Sequence, residues 1–413
     1  MTAPGNNTQA PGAAMPRPER VLLAQISAAH LVSHVHIMTL PALLPLLPGH
    51  FGRSFLEIGF ALTLFNLVSL LVQTPMGFAC DRLGARRVLI GGLVVGGVSF
   101  ILLAMWPTYP VLLVAMAAAG LANGVYHPAD YALLSTGVDG RRMGRAFSLH
   151  TFAGYLGTAV SPPLLLGAAA LSSVGAAFAV AGMLGLGVAA VLVLMPRQPS
   201  GGPVPSGESA VDGRPAVPDR RRLLSATVLV LTLMFVLLNL STGGIQSFSV
   251  SALVMDYGVD LAAANAALTV FLFMSAAGVL AGGSLADRTS RHGFVASGAF
   301  LATAIICAYL AAGQPSPLVI TVLLGLAGFL SGIITPSRDM LVRAAAPRGA
   351  EGIVFGIVST GFNIGGLIGP LLYAALLDQR LGWVIFAVAA GFMLLTVALT
   401  LAHELRSRRG PVP

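Results

Sequence analysis

Twelve long apolar runs constrain the fold of this 413-residue chain more than any other feature. Hydrophobic residues make up 56% of the sequence and charged residues only 9%, whereas water-soluble domains average about 25% charged residues. Runs of this length are typical of membrane spans, and in lipid a helix satisfies every backbone group of such a run. The predicted spans are 21–46, 56–79, 88–106, 109–135, 146–171, 174–195, 223–253, 263–285, 294–313, 316–342, 353–377 and 381–403. The sequence therefore predicts an all-α membrane protein with twelve transmembrane helices.

The two halves of the chain repeat one pattern. The first half carries GFACDRLGARR at Gly77–Arg87 and the second carries GSLADRTSRHG at Gly283–Gly293, with an offset of 206 residues at the shared Asp. Two prolines repeat at an offset of 208 residues, pairing Pro128 with Pro336 and Pro162 with Pro370. A duplicated polytopic chain is the general plan of secondary transporters, whose substrate binds between the repeats near the membrane midplane. We therefore expect two pseudo-symmetric six-helix bundles with a binding site between them.

Short polar segments flank and separate the two bundles. Residues 196–219 are rich in Pro, Gly and Ser, a composition that is typical of flexible linkers. The segment Met1–Pro18 lacks the charged, apolar and cleavage regions of a signal peptide. The predicted organisation is a disordered N-terminus at 1–19, a bundle at 20–195, a linker at 196–222, a bundle at 223–404 and a tail at 405–413.

The basic residues predict the orientation of the chain in the membrane. All 23 are Arg, because the sequence contains no Lys, and almost all lie in alternate loops. Only Arg53 and Arg380 fall on the other side of the predicted topology. The positive-inside rule then places both termini and the linker in the cytoplasm. The net charge of +8 thus indicates topology rather than nucleic-acid binding, and a lipid-binding surface at Arg220–Arg222 is the alternative for that segment.

The repeated Asp-Arg motif suits a tight turn between two helices. Its glycines permit close backbone approach, and they are Gly77, Gly84, Gly283 and Gly293. The Asp of each copy can accept hydrogen bonds from Arg or from free N–H groups at a neighbouring helix start. A tight, positively charged turn with no further role is the alternative for either copy taken alone.

The span count, the linker and both Asp-Arg motifs make residues 20–404 resemble the major facilitator superfamily. In that family the loop between spans 2 and 3 helps to latch the two bundles at the cytoplasmic side. The resemblance implies this latch role for Gly77, Asp81, Arg82, Gly84 and Arg86. The second copy implies a secondary latch role for Asp287, Arg288 and Arg291, although Thr289-Ser290 replaces the Leu-Gly of the first copy.

Spans 4 and 10 carry polar residues at matched positions. Asn123, His127 and Asp130 recur at four- and three-residue steps, so they share one helix face. At the offset of 208 residues their counterparts are Ser331, Thr335 and Arg338. Ionisable groups at membrane depth cost about 2.5–3.5 kcal/mol and usually face a partner or an aqueous cavity. One hypothesis is that Asp130 and Arg338 pair when the cytoplasmic side closes; snorkelling near the helix ends and a local Arg338–Asp339 pair are the alternatives.

Histidines in span 1 are candidates for proton coupling or substrate binding, because histidine changes charge near neutral pH. His30 and His34 lie four residues apart on one helix face. A hydrogen-bonded structural role is the alternative, and no metal site is predicted because the pair has no acidic partner nearby in sequence. The candidate proton carriers are His30, His34, His127 and Asp130, and the same pathway is expected to include Asn123, Tyr126, His150, Tyr155, Arg338 and Asn363.

Three short segments narrow the family resemblance. They are AHLVSHVHIMTLPALLPLL at Ala29–Leu47, YHPAD at Tyr126–Asp130 and SLHTFAGYLGTAVSPP at Ser148–Pro163, and they are similar to bacterial facilitators of the fosmidomycin-resistance type. This resemblance implies proton-driven export of a drug or organic anion. Proton-coupled uptake of a small carboxylate and a non-transporting membrane sensor are the alternatives.

Enzymatic activity is not expected from this sequence. It contains no nucleophile–base constellation and no recognised metal-ligand spacing, and it has no GxxxxGK[ST] loop for ATP. The expected partners are a small-molecule solute, protons and membrane lipid, with no cofactor and no nucleic acid. The expected functional unit is a monomer.

Overall fold

The computed structural model describes residues 15–195, 225–289, 291–345 and 351–408. Those residues form twelve helices that are long and apolar enough to cross a membrane, and they contain no strand. The helices are α1 Arg17–Phe51, α2 Phe55–Leu83, α3 Ala85–Met105, α4 Tyr109–Gly137, α5 Met143–Leu171, α6 Val174–Leu194, α7 Ala226–Asp256, α8 Leu261–Arg288, α9 His292–Ala312, α10 Pro317–Ala345, α11 Glu351–Asp378 and α12 Gly382–Arg408. The predicted all-α fold with twelve spans is therefore confirmed.

The segments predicted outside the bundles lie mostly beyond the described residues. This applies to the whole linker 196–222 and to most of the predicted N-terminal segment 1–19 and tail 405–413. Both of these terminal segments contribute to helices, since α1 begins at Arg17 and α12 continues to Arg408.

The first helix of each half contains an irregular turn. In α1 the turn Leu44–Leu46 is a 3-10 helix, three residues after Pro41. In α7 the turn Asn239–Gly243 is a π-helix that begins in the middle of the span. An inserted π turn widens the helix locally and is frequent at functional sites. Asn239, Thr242 and Gln246, which lie in or next to this turn, face the space between the two halves.

The two halves pack together at one end of the molecule and separate at the other. We call the end that holds the start of α1 and the end of α12 the terminal end. The main hydrophobic core joins residues of both halves towards the opposite end, whereas the clusters near the terminal end each belong to one half. The contacts between halves run mainly along α2 with α11 and α5 with α8. The space between the halves therefore opens towards the terminal end.

Glycines let matched helices approach closely within each half. In α5, a Cβ added to Gly157 would lie 3.0 Å from the backbone carbonyl carbon of Leu31 and 3.1 Å from the Cβ of His34, both on α1. In α11, a Cβ at Gly365 would lie 2.7 Å from the Cβ of Asn239 on α7. Small residues allow such backbone approach between membrane helices. The glycines of α5 and α11 thus hold two equivalent helix pairs.

Gly157→Ala should lower the apparent Tm of the purified protein, because the added methyl group overlaps the backbone of α1 and overpacking costs about 1–3 kcal/mol. Gly167→Ala on the same helix is the matched control, since a Cβ there meets no atom within 4 Å. Thermal unfolding in detergent would measure both variants. Equal Tm values for the two variants would contradict this packing.

Candidate functional site

A central cavity of about 260 Å³ lies between the two halves. Its walls come from α1 and α5 on one side and from α7, α8, α10 and α11 on the other. Polar side chains face it from both halves: His34, Tyr155, Thr158, Asn239, Thr242, Gln246, Ser275, Ser331, Thr335 and Arg338. A concave site with a few polar groups among apolar walls is the usual form of a small-molecule site.

Arg338 carries the positive charge of this cavity. Its guanidinium lies 4.7 Å from the ring centroid of Phe235 and 5.1 Å from that of Phe362, so both rings contribute cation–π attraction. Its Nη2 also lies 2.7 Å from Oδ1 of Asp339. The Arg338 side chain is 14% exposed and the Asp339 side chain 39% exposed. The guanidinium is therefore held in place on the cavity wall, beside an anion that water can reach.

A buried group of ionisable side chains lies within the first half. We call His30, His34, His127, Asp130 and His150 the histidine–aspartate cluster. Oδ2 of Asp130 lies 3.5 Å from Nδ1 of His30 and 3.8 Å from Nε2 of His150, and the rings of His30 and His150 stack 3.9 Å apart. Asp130 is fully buried, and neither of its carboxylate oxygens has a hydrogen-bond partner among the residues that the structure describes. An isolated buried carboxylate is costly, so the two imidazoles are positioned to share a proton with it.

The histidine–aspartate cluster extends to the central cavity on one side and to an exposed face of α4 on the other. The ring of His34 lies 4.7 Å from that of His30, and Nδ1 of His34 is 2.8 Å from Oγ1 of Thr158 on the cavity wall. On the other side, the ring of His127 lies 5.5 Å from that of His30 and 5.7 Å from that of Tyr131. His127 and Tyr131 are both exposed. A chain of rings thus connects the central cavity, the buried carboxylate and the exposed side of α4.

The structure corrects one premise about metal binding. The sequence offered no acidic partner for the histidines of span 1, but the fold brings Asp130 and His150 to His30. One ligand atom from each of these three residues lies within 4.8 Å of the others, and all three residues are buried. Imidazole and carboxylate are suitable zinc donors, although bonds of about 2.0–2.2 Å would require the three groups to move closer together.

Several predicted pathway residues do not line the central cavity. Nδ2 of Asn123 donates a hydrogen bond of 2.7 Å to Oγ of Ser69, which ties α4 to α2 within one half. Tyr126 is 2% exposed and packs in the hydrophobic core of the first half near the terminal end. Asn363 is half-buried on α11 and is not a cavity residue. Of the predicted set, His34, Tyr155 and Arg338 line the cavity, while His30, His127, Asp130 and His150 form the cluster behind it.

Asp130 and Arg338 have separate partners in this conformation. Asp130 contacts His30 and His150 of its own half, and Arg338 pairs with its neighbour Asp339. The local Arg338–Asp339 arrangement is therefore the one observed. Pairing of Asp130 with Arg338 in a conformation closed at the terminal end stays a prediction.

The first Asp-Arg motif forms the predicted tight turn. Gly84 has a φ of +90° and alone separates α2 from α3, a backbone conformation that favours glycine. Arg86 donates hydrogen bonds to the carbonyl oxygens of Leu192 and Met195 at the end of α6, so these contacts stay within one half. Asp81 and Arg82 are exposed. The prediction of close approach is wrong for Gly77 and Gly84, because a Cβ at either position meets no atom within 4 Å.

The second Asp-Arg motif is more open. Arg288 and Arg291 are exposed at the terminal end, and the side chain of Asp287 lies outside the part of the chain that the structure describes. A Cβ at Gly283 meets no atom within 4 Å, so close approach is wrong there too, whereas a Cβ at Gly293 would lie 2.5 Å from Oε2 of Glu404. The latch roles implied for both motifs stay predictions, because the halves are apart at this end.

Sequence reasoning missed the polar side chains that α7 supplies. Asn239, Thr242 and Gln246 face the cavity opposite His34 and Thr158. Thr242 is the counterpart of His34 at the offset of 208 residues. The offset of 208 residues, which was applied to spans 4 and 10, identifies Thr242 when it is applied to spans 1 and 7.

His36→Ala should destabilise the protein more than His34→Ala. The His36 ring fills the space between Gly96 and Gly185, and its Nε2 lies 3.0 Å from the carbonyl oxygen of Ala181. Truncating a buried ring of this size costs about 2–5 kcal/mol, whereas His34 borders the open cavity. Apparent Tm values in detergent would rank the two variants, and a lower Tm for His34→Ala would contradict the assignment.

Known proteins provide an independent comparison. A model of the Major Facilitator Superfamily matches residues 26–264 and 231–412. The chain is 26% identical over 362 residues to the fosmidomycin resistance protein of Escherichia coli (strain K12), covering 84% of each chain. It is 27% identical over 168 residues to the gallate transporter of Pseudomonas putida, covering 40% of this chain and 36% of that protein.

Solved structures share the same fold. A bacterial homologue of the human lysosomal transporter Spinster, in an inward-facing and unoccupied conformation, superposes with a TM-score of 0.73 at 14% identity. That match covers 94% of this chain and 99% of the other. The nucleoside transporter NupG also gives a TM-score of 0.73, at 13% identity, covering 92% of this chain and 99% of the other.

Proposed function

We propose that this chain, which belongs to the major facilitator superfamily, exports a small organic anion or anionic drug in exchange for protons. It is a multi-pass secondary transporter and not an enzyme. The observation that carries the finer proposal is the arrangement around the central cavity. Arg338 lies on its wall in one half, and His34 connects it to the histidine–aspartate cluster in the other half.

Arg338 is the proposed anion-binding group. Its guanidinium is restrained by Phe235 and Phe362, and its present partner Asp339 is more exposed than Arg338 itself. A solute carboxylate or similar anion can replace Asp339, because guanidinium pairs readily with planar oxyanions. The amide and hydroxyl groups of Asn239, Thr242 and Gln246 would then orient the remainder of the solute.

The histidine–aspartate cluster is the proposed proton site. A proton that enters from the cavity would pass from His34 to His30 and reach Asp130 and His150. A proton from the terminal end would enter at His127, whose ring is exposed. Ionisable groups buried at membrane depth commonly form such relays in pumps and transporters. Protonation would remove the uncompensated charge of the Asp130 carboxylate.

The direction of transport is proposed from three considerations. The cavity opens towards the terminal end, and the positive-inside rule places that end in the cytoplasm. The solute would therefore load from the cytoplasm, and a rocking movement of the halves would close this end and open the other. The two Asp-Arg motifs would latch the closed terminal end. The likeness to the fosmidomycin resistance protein supports export, and the proposed transporting unit is a monomer.

Proton-coupled uptake is the second candidate, and one observation favours it. His34 and Arg338 line the same cavity, so an anion bound at Arg338 would attract a proton towards the cluster. Such mutual attraction favours movement of both in the same direction. In proteoliposomes with an imposed pH gradient, antiport and symport give opposite directions of solute accumulation. A sensor that does not transport would show no flux with any solute.

Arg338→Gln should raise the KM for an organic anion about 10- to 100-fold, because a hydrogen bond to a charged group contributes about 1.5–3 kcal/mol. Arg338→Lys keeps the charge but loses the planar guanidinium, so its KM should lie between those of the unmodified protein and Arg338→Gln. Arg343→Gln on the same helix is the control for general loss of charge. Uptake of a radiolabelled organic anion into proteoliposomes measures the KM of all three variants. An unchanged KM in Arg338→Gln would contradict anion binding at this residue.

Asp130→Asn should uncouple transport, because the amide keeps the size of the carboxyl group but cannot exchange its proton. Flux driven by a pH gradient should fall to background, while solute exchange without a gradient should persist. Asp260→Asn, at the start of α8, is the control and should keep both activities, because Asn can also cap the helix.

The same assay distinguishes a proton site from a metal site at His30, Asp130 and His150. Flux in the unmodified protein should survive treatment with EDTA. Loss of flux in EDTA with recovery on added Zn²⁺ would contradict the proton assignment, as would undiminished gradient-driven flux in Asp130→Asn.

A further inference from the structure

At the opposite end, the start of α2 meets the end of α11 across the boundary between the halves. The two carboxylate oxygens of Asp378, the last residue of α11, accept hydrogen bonds from the backbone N–H groups of Phe55 and Leu56. Both bonds measure 2.8 Å. They connect residues that are more than 300 positions apart in the chain and lie in different halves.

These bonds complete the cap of α2. Oγ of Ser54 accepts from the N–H of Glu57, and the Glu57 side chain accepts from the N–H of Ser54. This local capping box leaves the N–H groups of Phe55 and Leu56 without a partner on their own helix. Asp378 supplies the partner for both. The first turn of α2 is therefore fully hydrogen-bonded only while the two halves are together at this end.

Asp378 is unfavourably placed on its own helix. A carboxylate at the C-terminus of a helix meets the negative end of the helix dipole, whereas a carboxylate at an N-terminus meets the positive end. Contact with the N-terminus of α2 offsets the repulsion that Asp378 experiences at the C-terminus of α11. Separation of the halves at this end would restore the repulsion and also expose two unpaired N–H groups. Both effects favour the closed state.

The packing below this contact fixes the register of the two helices. A Cβ added to Gly59, one turn further along α2, would lie 2.7 Å from the Cβ of Ala374 and 2.7 Å from the carbonyl oxygen of Pro370. One turn beyond, Oγ1 of Thr63 donates a hydrogen bond of 3.1 Å to the carbonyl oxygen of Leu367. The helices are thus in backbone contact where Asp378 reaches the start of α2.

Within the part of the chain that the structure describes, the matched helix α8 of the second half receives no such cap from the first half. The N–H of Ala263 in the first turn of α8 bonds to Oδ1 of Asp260, which immediately precedes α8 in the same half. Asp260 and Asp378 therefore perform the same chemistry at the same end of the molecule. Of these two caps, the one made by Asp378 crosses the boundary between the halves and has to break when the halves separate at this end.

We propose that Asp378 is a positioning residue of the transport cycle, whose carboxylate holds the opposite end closed by capping α2 of the other half. This role goes beyond the proposed function, because it requires alternating access but neither a particular solute nor proton coupling. Removal of the carboxylate shifts the equilibrium towards the state that is open at the opposite end.

The test measures the width of the opposite end directly. Spin labels on Leu171→Cys and Leu318→Cys, at exposed positions near this end of α5 and α10, report the separation of the halves by electron–electron distance spectroscopy. The background carries Cys80→Ser and Cys307→Ser, because both native cysteines are free. The protein is in lipid nanodiscs without solute or pH gradient.

In this background, Asp378→Ala should raise the ratio of long to short distances about five- to tenfold; the effect is smaller than for a buried hydrogen bond to a charged group because both bonds are exposed to water. Asp378→Asn should have a smaller effect, because the amide oxygen still accepts one bond. Asp260→Ala should leave the ratio unchanged.

A second variant keeps the proposal testable if Asp378→Ala is poorly folded. Asp378→Asn is that variant, because it preserves the size of the side chain, and its ratio should still exceed that of the background. A ratio in folded Asp378→Ala that equals the background would overturn the proposal, as would an equal response in Asp260→Ala. The distance measurement involves no transport, so a negative result would refute the role of Asp378 without affecting the proposed function. A negative result in the flux assays would likewise not affect the role of Asp378.

Discussion

The interior of a membrane provides no hydrogen bonds, and this constraint organises the whole molecule. It makes every span a helix, and it directs polar side chains away from lipid and into the space between the halves. There His34 pairs with Thr158, and Arg338 pairs with Asp339. Asp130 is a charged group whose requirement is unmet, because both of its carboxylate oxygens are buried with no hydrogen-bond partner among the described residues. The proposed proton coupling follows from this unmet requirement, since one shared proton removes the charge.

A symmetric scaffold carries an asymmetric distribution of chemistry. Matched glycines pack α5 against α1 and α11 against α7, so the two halves are built alike. The ionisable cluster around Asp130 nevertheless belongs to the first half, and Arg338 belongs to the second. A movement of one half against the other therefore changes the distance between the proposed proton site and the proposed anion site. The same movement would break the contact of Asp378 with α2, so chemistry and closure depend on one relative displacement.

The sequence was sufficient for the fold because lipid allows few alternatives for an apolar run. The site was only partly predictable. The helical spacing of His30 and His34 indicated a shared face, but no spacing rule shows that Asp130 and His150, which are 100 and 120 residues away, lie against His30. The π turn in α7 interrupts the regular helical register beside the cavity, and no periodicity predicts it. The Asp378 contact is equally hidden, since it joins the end of one helix to the start of another in the other half.

The most direct test of the central claim is the pH inside proteoliposomes when a solute enters down its own gradient. A trapped pH-sensitive dye reports the proton movement, with no pH gradient imposed at the start and membrane potential clamped. The account predicts that the lumen becomes more alkaline as an organic anion enters, because each exchange moves protons outwards, and that Asp130→Asn abolishes the change. A lumen that stays at constant pH during solute entry would contradict proton coupling, and acidification that depends on Asp130 would contradict exchange.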